Sequence, residues 1–413
     1  MNAFIRDAIA AAEQDFDRNE KQVILHNSQH NIGLALGKFG VSLRHNVFTG
    51  QMVYSQNNGP LAHLDDAAID RFWLMIDSKF LFRPTQIFFY TVVQDLARRQ
   101  PFHPVCDYLD GLTWDRVHRL DDWLIKYGGA EASDYSRAVG AHVLIAAVRR
   151  VRRPGTKFDE MLILEGAQGA AQKSSAIAAL CADPDWFSDD LPLNSESKQV
   201  IERTSGKWLI EAAELAGNHK REVEHLKAFL SRQVDVARLS YDRITSQRPR
   251  HFVVIGTTNS DTYLRDLTGN RRFWPVCVSG FDIDALVRDR DQIWAEAVFR
   301  EATGEKIRLD SKLWGVAAEQ QDRRRVQDPW EDIIAVRTGD RTGKLLCEEV
   351  WKIVGLEERG FRNQEHNVRI GTVMNRLGFE RRRARHNGQS RYHYVRGSDA
   401  EREVAFELLD EPI

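Results

Sequence analysis

Apolar residues along this chain recur with two spacings. From 1 to about 100 they fall mostly at helical intervals, and DDAAIDRFW (65–73) opens a helix with carboxylates in its first turn. A polar, extended interlude, SLRHNVFTGQMVYSQNNGP (42–60), breaks that pattern and ends in turn chemistry at Asn57-Asn58-Gly59-Pro60. HPVCDYLDGLTWDRVHRLDDWLIKYGGA (103–130) mixes aromatic and charged positions in the manner of short packed helices.

From about residue 133 the pattern changes. AVGAHVLIAAVR (138–149) reads as a long helix running into a basic stretch, then Pro154-Gly155. MLILEG (161–166) is a short apolar run closed by glycine, the pattern of a strand buried on both faces, and KSSAIAALCA (173–182) after it reads as a helix. KWLIEAAEL (207–215) and HFVVIGTTN (251–259) are two more buried-strand candidates, with a helix over 218–233 between them. Strands alternating with helices predict a parallel α/β sheet. Charged helices follow over 289–306 and 319–334, then short helices and FERRRARHNGQSRYHYV (379–395), two strands about the turn pair Asn387-Gly388. Helices ending in a basic hairpin predict a winged-helix-like module. The expected organisation is a mostly helical region over 1–130, a P-loop α/β domain over 131–330 and the winged module over 331–413.

Composition narrows this little. The chain has 413 residues, 42% hydrophobic and 29% charged, with a net charge of -2, as an ordinary globular protein does. No run approaches a membrane span, no apolar leader pattern stands at the start, and the four cysteines form no C-x-x-C pair. A reduced, cytoplasmic setting without membrane partners is the expectation.

Candidate chemistry centres on LEGAQGAAQKSSAI (164–177). It nearly spells G-x-x-x-x-G-K-[ST], but Gly166 precedes Lys173 by seven positions instead of six, and Gln172 stands where glycine precedes the lysine. Gly166 and Gly169 would let backbone approach phosphate, Lys173 would reach the β/γ-phosphates, and Ser174 and Ser175 would open the helix, Ser174 as a Mg²⁺ ligand. An Ala/Gly-rich turn of no function has the same look. Glu211 and Glu214 after the second strand suit Mg²⁺ and water activation, or solvated turn positions. Asn259 closes the third strand, as a γ-phosphate reader or as a turn residue. Arg271 and Arg272 precede an apolar run and need anionic partners, in a neighbouring subunit's nucleotide or in a structural ion pair. The segment 226–252 carries Lys227, Arg232, Arg238, Arg243, Arg248 and Arg250 around Tyr241, a pattern for gripping a phosphate backbone or for a solvated basic face. The C-terminal part carries Arg369, Arg376, Arg381, Arg382, Arg383 and Arg385, with few acids among them, and QEHNVRIGTVMNRLG (364–378) is the candidate groove-reading helix.

Taken in order, FHPVCDYLDGLTWDRVHRLDDWL, KFDEMLILEGAQG, DWFSDDLP, WLIEAAEL, KAFLSRQVDVARLSYDR and RHFVVIGTTNSDTYLRDLTGNRRFWPV resemble the virulence-associated protein E family. That family comprises AAA+ ATPases of phages and genomic islands related to superfamily-3 helicases and primase-helicases. The resemblance, over about 100–330, implies an ATP- and Mg²⁺-dependent ring, usually a hexamer, acting on single-stranded DNA and origin duplex. It implies a primase as a further partner, supplied by another chain. It also implies roles: Lys173 and Ser174 as the Walker A pair, Glu214 with Glu211 as the Walker B acids, Asn259 as sensor. Arg271 or Arg272 would be the finger, and Lys227 matches a lysine shared by superfamily-3 helicases. The lengthened, glycine-poor loop departs from the family pattern and leaves open a non-catalytic nucleotide- and DNA-binding assembly protein.

Overall fold

In the computed structural model the residues described are 15–169, 171–193, 195–213, 220–238, 245–264, 270–386 and 389–409. They form two compact units, Met1–Asp261 with Arg271–Gln321, and Thr262–Asn270 with Asp322–Ile413.

The first unit begins with strands β1 (Val41–Asn46), β2 (Gln51–Gln56), β3 (Ala62–His63) and β4 (Pro101–Phe102), ordered β3-β2-β1-β4. Helices Gln29–Lys38, Asp66–Phe80 and Gln86–Arg98 bury Ile32, Phe72, Ile76, Phe89 and Val93 against it. The helices match the apolar spacing. The sheet did not announce itself, because the 42–60 interlude is a hairpin whose β2 strand is only half-buried, so its sequence stays polar.

The second sheet comprises β5 (Met161–Glu165), β6 (Phe187–Ser188) and β7 (Leu209–Ala212). After an antiparallel hairpin of β8 (Val234–Ala237) and β9 (Ser246–Pro249), β10 (Val253–Thr258) and β11 (Phe273–Cys277) complete it. Its order is β11-β5-β10-β7-β6 and every pairing is parallel. This is the α/β P-loop fold of AAA+ type that the alternation of strands and helices anticipated. β5 and β10 are buried at every position, which is why they read as continuous apolar runs rather than alternating ones. Helices Asp134–Arg152 and Ile283–Ala302 cover it, and the Trp208 and Trp294 rings pack 4.2 Å apart in the core. Each indole donates to a backbone carbonyl, Trp208 to Ala147 and Trp294 to Leu180, so no buried N–H is wasted there.

The strand order positions the site. β10 lies between β5 and β7, with Thr257 opposite Leu164 and Ile255 opposite Glu211. The loop after β5, the glutamate on β7 and the asparagine after β10 therefore meet at one sheet edge, the carboxyl ends of parallel strands where α/β folds bind ligands.

The second unit has helix Pro329–Thr338, β12 (Gly343–Leu346), helices Cys347–Ile353 and Gln364–Arg376, then β13 (Glu380–His386) and β14 (Gln389–Arg396). The antiparallel sheet runs β12-β14-β13 over a core of Ile334, Leu345, Val350, Ile370, Met374 and Phe379. It is winged-helix-like, with the β13–β14 hairpin as the wing; the expected turn pair Asn387-Gly388 lies outside the described residues. Among the described residues, no helix is long and apolar enough to cross a membrane.

Candidate nucleotide and nucleic-acid sites

The loop leaving β5 is shaped by close approach. Gly166 donates to the Thr258 carbonyl at 3.3 Å, and a Cβ on it would stand 2.5 Å from the Val278 carbonyl, so only glycine fits. Gly169 turns the chain at φ 75°. Ala171 is buried; its N–H donates to the Ala167 carbonyl at 3.3 Å and its own carbonyl accepts from Phe281. Gln172 then adopts the left-handed conformation, φ 47° and ψ 36°, with its residue exposed, and helix Lys173–Leu180 begins. The extra residue is thus absorbed in the backbone. Ala170 lies outside the described residues.

Gln172 holds the conformation that a glycine would take freely, at a steric cost of about 1–2 kcal/mol. Gln172→Gly is therefore expected to stabilise the chain by about 1 kcal/mol in urea unfolding. A loss of stability instead would show that the glutamine side chain holds the loop in place.

Lys173 is 8% exposed. Its ammonium donates to the Gly166 carbonyl at 2.7 Å and to Asn259 Oδ1 at 2.9 Å. Burial lowers its pKa below the ordinary lysine value, and the Glu211 carboxylate opposes that shift. Of three ammonium protons two are bound within the site, leaving one. Ser174 Oγ donates to Glu211 Oε1 at 2.7 Å, and Thr257 Oγ1 donates to the same oxygen at 2.6 Å. Glu211 is 1% exposed. Ser174 and Ser175 are exposed in the first turn of the helix, where backbone N–H groups lack intrahelical acceptors.

The predicted loop, acid and sensor residues are thus assembled by direct contact. Glu214 lies outside the described residues, so the acid brought to Ser174 is Glu211. Arg271 is exposed and Arg272 half-buried, both in a 3-10 turn before β11, and neither forms an ion pair among the described residues. Thr257 is a member the sequence reading missed. A threonine inside a buried strand looks like any β-former, and only the parallel register to β7 shows its hydroxyl meeting Glu211.

These residues fit a nucleotide with Mg²⁺. A hydroxyl and a carboxylate 2.7 Å apart are hard oxygen donors, and an ammonium with a spare proton beside a helix N-terminus suits phosphate.

The nucleic-acid candidates divide sharply. β8 and β9 form a hairpin whose loop carries Arg238, exposed; Tyr241 and Arg243 lie outside the described residues. Lys227 does not belong to this surface. It is 7% exposed with its ammonium 5.5 Å from the Phe273 ring centroid, so a phosphate backbone cannot reach it.

In the winged unit the groove-reading helix also needs correction. Arg369 makes a two-pronged pair with Asp328, at 2.7 and 2.8 Å, and lies 3.9 Å over the Trp330 ring. Arg376 pairs with Glu331 at 3.0 Å. Both are spent inside the unit. The wing is different. Arg381, Arg383 and Arg385 alternate with Arg382 along β13 and are exposed, and Arg381 and Arg383 flank the Tyr392 ring at 4.3 and 4.9 Å. Arg382 pairs with Glu380 at 2.9 Å on the other face.

A family model described as the virulence-associated protein E-like domain matches residues 109–326. No curated protein matches the chain. Solved structures of similar fold include the apo NrS-1 C-terminal region, 10% identical, covering 89% of this chain and 98% of that one with a TM-score of 0.47. Another is the SCCmec type IV Cch active helicase, 10% identical, covering 86% and 92% respectively with a TM-score of 0.38. These likenesses are too distant to bear on function.

Proposed function

The chain belongs to the virulence-associated protein E-like family, and on that footing we propose that it is an ATP-dependent DNA helicase or replication-initiation ATPase of a phage or genomic island. The single observation that carries this reading is the joined set of contacts Gly166–Lys173–Asn259 and Ser174–Glu211–Thr257 at one sheet edge.

Lys173 and the N–H groups of Ser174 and Ser175 hold the phosphates of ATP. Ser174 and Glu211 hold Mg²⁺, and Glu214 orients and deprotonates the attacking water. Bound Mg²⁺ supplies Lewis-acid neutralisation of the charge that develops on the phosphoryl oxygens. Asn259, tied to Lys173 in the resting chain, exchanges that bond for a phosphate oxygen. Arg271 or Arg272 reaches a neighbouring subunit's nucleotide, as a finger in trans requires, and the assembly is a ring, hexameric by family likeness. Residues 1–130 flank the motor at 131–330, the β8–β9 hairpin carrying Arg238, Tyr241 and Arg243 grips single-stranded DNA, and 331–413 dock origin duplex through the wing. A primase is the natural further partner, and the cytoplasm the setting.

The test is ATP hydrolysis with and without single-stranded DNA. Lys173→Ala is expected to lower the rate at least about 100-fold by removing a charge-assisted contact in a water-poor site. An unchanged, robust rate would overturn the assignment. The lengthened loop with left-handed Gln172 favours a second reading, an assembly protein that binds nucleotide and DNA without turnover. That reading gains if saturating ATP gives no hydrolysis while truncation before 331 abolishes DNA binding.

A further inference from the structure

A pocket of about 490 Å³ opens at the other end of the parallel sheet, between the β1–β2 turn, helix Ser197–Thr204 and strand β9. Its walls include Phe48 and Phe252, with His103, His251, Arg248 and Arg250 as polar members. It lies wholly within the first unit and shares no lining residue with the P-loop.

The charge around this pocket is unbalanced. Arg150, on helix Asp134–Arg152, is 4% exposed, yet it has neither a hydrogen bond nor an ion pair among the described residues. Its one contact is the Phe252 ring, 5.9 Å from the guanidinium. Burial pushes its pKa down to about 10, and the neighbouring Arg250 adds to that shift. Buried arginines are normally paired, because an uncompensated charge out of water is expensive. The carboxylates acting on it are taken: Asp159 pairs with Lys157 at 3.2 Å and Asp235 with Arg250 at 2.6 Å. Arg248 is exposed beside the Gly50 turn and has no ion pair among the described residues.

The imidazoles add donors rather than acids. His103 accepts the Cys106 N–H on Nδ1, which leaves the proton on Nε2. Burial keeps His103 below its ordinary pKa. Burial, then His103, Arg150 and Arg248, push His251 down to about 3. A neutral histidine repelled by three neighbours marks a local positive potential with no resident anion to relieve it.

We propose that this pocket is a second phosphate site, separate from the P-loop, for a ligand of mononucleotide size. Arg248 meets the phosphate at the mouth, Arg150 supplies buried charge behind Phe252, and Phe48 and Phe252 offer the apolar wall that a base or sugar requires. The volume falls within the range of small-ligand sites. The phosphate belongs either to a free nucleotide or to one nucleotide of a DNA strand.

Photolabelling of the full chain with 8-azido-ATP in EDTA, followed by peptide mapping, tests this. Label is expected on a peptide from 44–51 or 248–252 as well as on the P-loop peptide. Arg248→Ala and Arg150→Met should each reduce the pocket label at least tenfold and spare the P-loop label. Excess single-stranded DNA that erases the pocket label assigns the phosphate to a strand, and label that persists assigns it to a free nucleotide. Arg150→Met should also raise the melting temperature of the ligand-free chain, since it removes an unpaired buried charge. A lower melting temperature would show the guanidinium serving Asp159 structurally and would sink the proposal, as would pocket label absent or indifferent to both variants. Loss of P-loop label alone counts against the proposed ATPase and leaves this site standing.

Discussion

Glu211→Gln should slow ATP hydrolysis by about 100- to 1,000-fold, the scale of losing one preorganised electrostatic contact in a buried site. The glutamine amide oxygen can still accept from Ser174 and Thr257, so the 2.7 and 2.6 Å hydrogen bonds have a partner and the fold is retained. What disappears is the negative charge beside the metal-binding hydroxyl. At 1% exposure that charge is poorly screened by water, so its loss is felt strongly. The deficit should therefore appear in kcat and in the Mg²⁺ concentration needed for half-maximal rate, with nucleotide affinity in EDTA little changed. A variant that hydrolyses ATP at the parent rate would remove Glu211 from the reaction and leave the task to Glu214.

The site was legible to the extent that it is linear. Gly166, Lys173 and Ser174 stand in one loop, and the strands that carry Glu211 and Asn259 show as buried runs ending in polar residues. Their order along the chain predicted their meeting, because parallel strands deliver their carboxyl ends to one edge. Two things escaped. Thr257 contributes through register, which no local pattern encodes. The β1–β2 hairpin is polar because half its surface stays wet, so alternation was too weak to separate it from a loop.

The basic surface was misjudged for a different reason. The arginine-rich tail was weighed against the acids within it, but Arg369 and Arg376 find theirs upstream, at Asp328 and Glu331 in and before helix Pro329–Thr338. Sequence proximity hid both partners. Once these pairs are removed, the footprint contracts from a helix and wing to the wing alone, where Arg381 and Arg383 enclose Tyr392. Lys227 misled in the same way, since a basic run predicts charge but not which member turns inward.

The base of the β8–β9 hairpin carries the second large expected effect, about 3–5 kcal/mol lost from stability on Asp235→Asn. Asp235 is 4% exposed and Arg250 3%, and they form a two-pronged pair at 2.6 and 2.8 Å. Arg250 also donates to the Phe229 carbonyl, lies 4.1 Å over the Phe229 ring, and bonds through its backbone to Gln233 and Gly155. The pair therefore fixes helix Lys220–Ser231 and the entry to β10 on the hairpin. Neutralising Asp235 leaves Arg250 uncompensated beside Arg150, which is already unpaired, so two buried cations face each other without a carboxylate between them. Urea unfolding of the first unit reads the loss. Adding Arg250→Met, which removes the stranded charge and keeps an apolar stem against Phe229, should recover most of it, whereas independent effects would simply add. An Asp235→Asn chain within about 1 kcal/mol of the parent would place this pair with ordinary surface bridges and mean that water reaches the guanidinium.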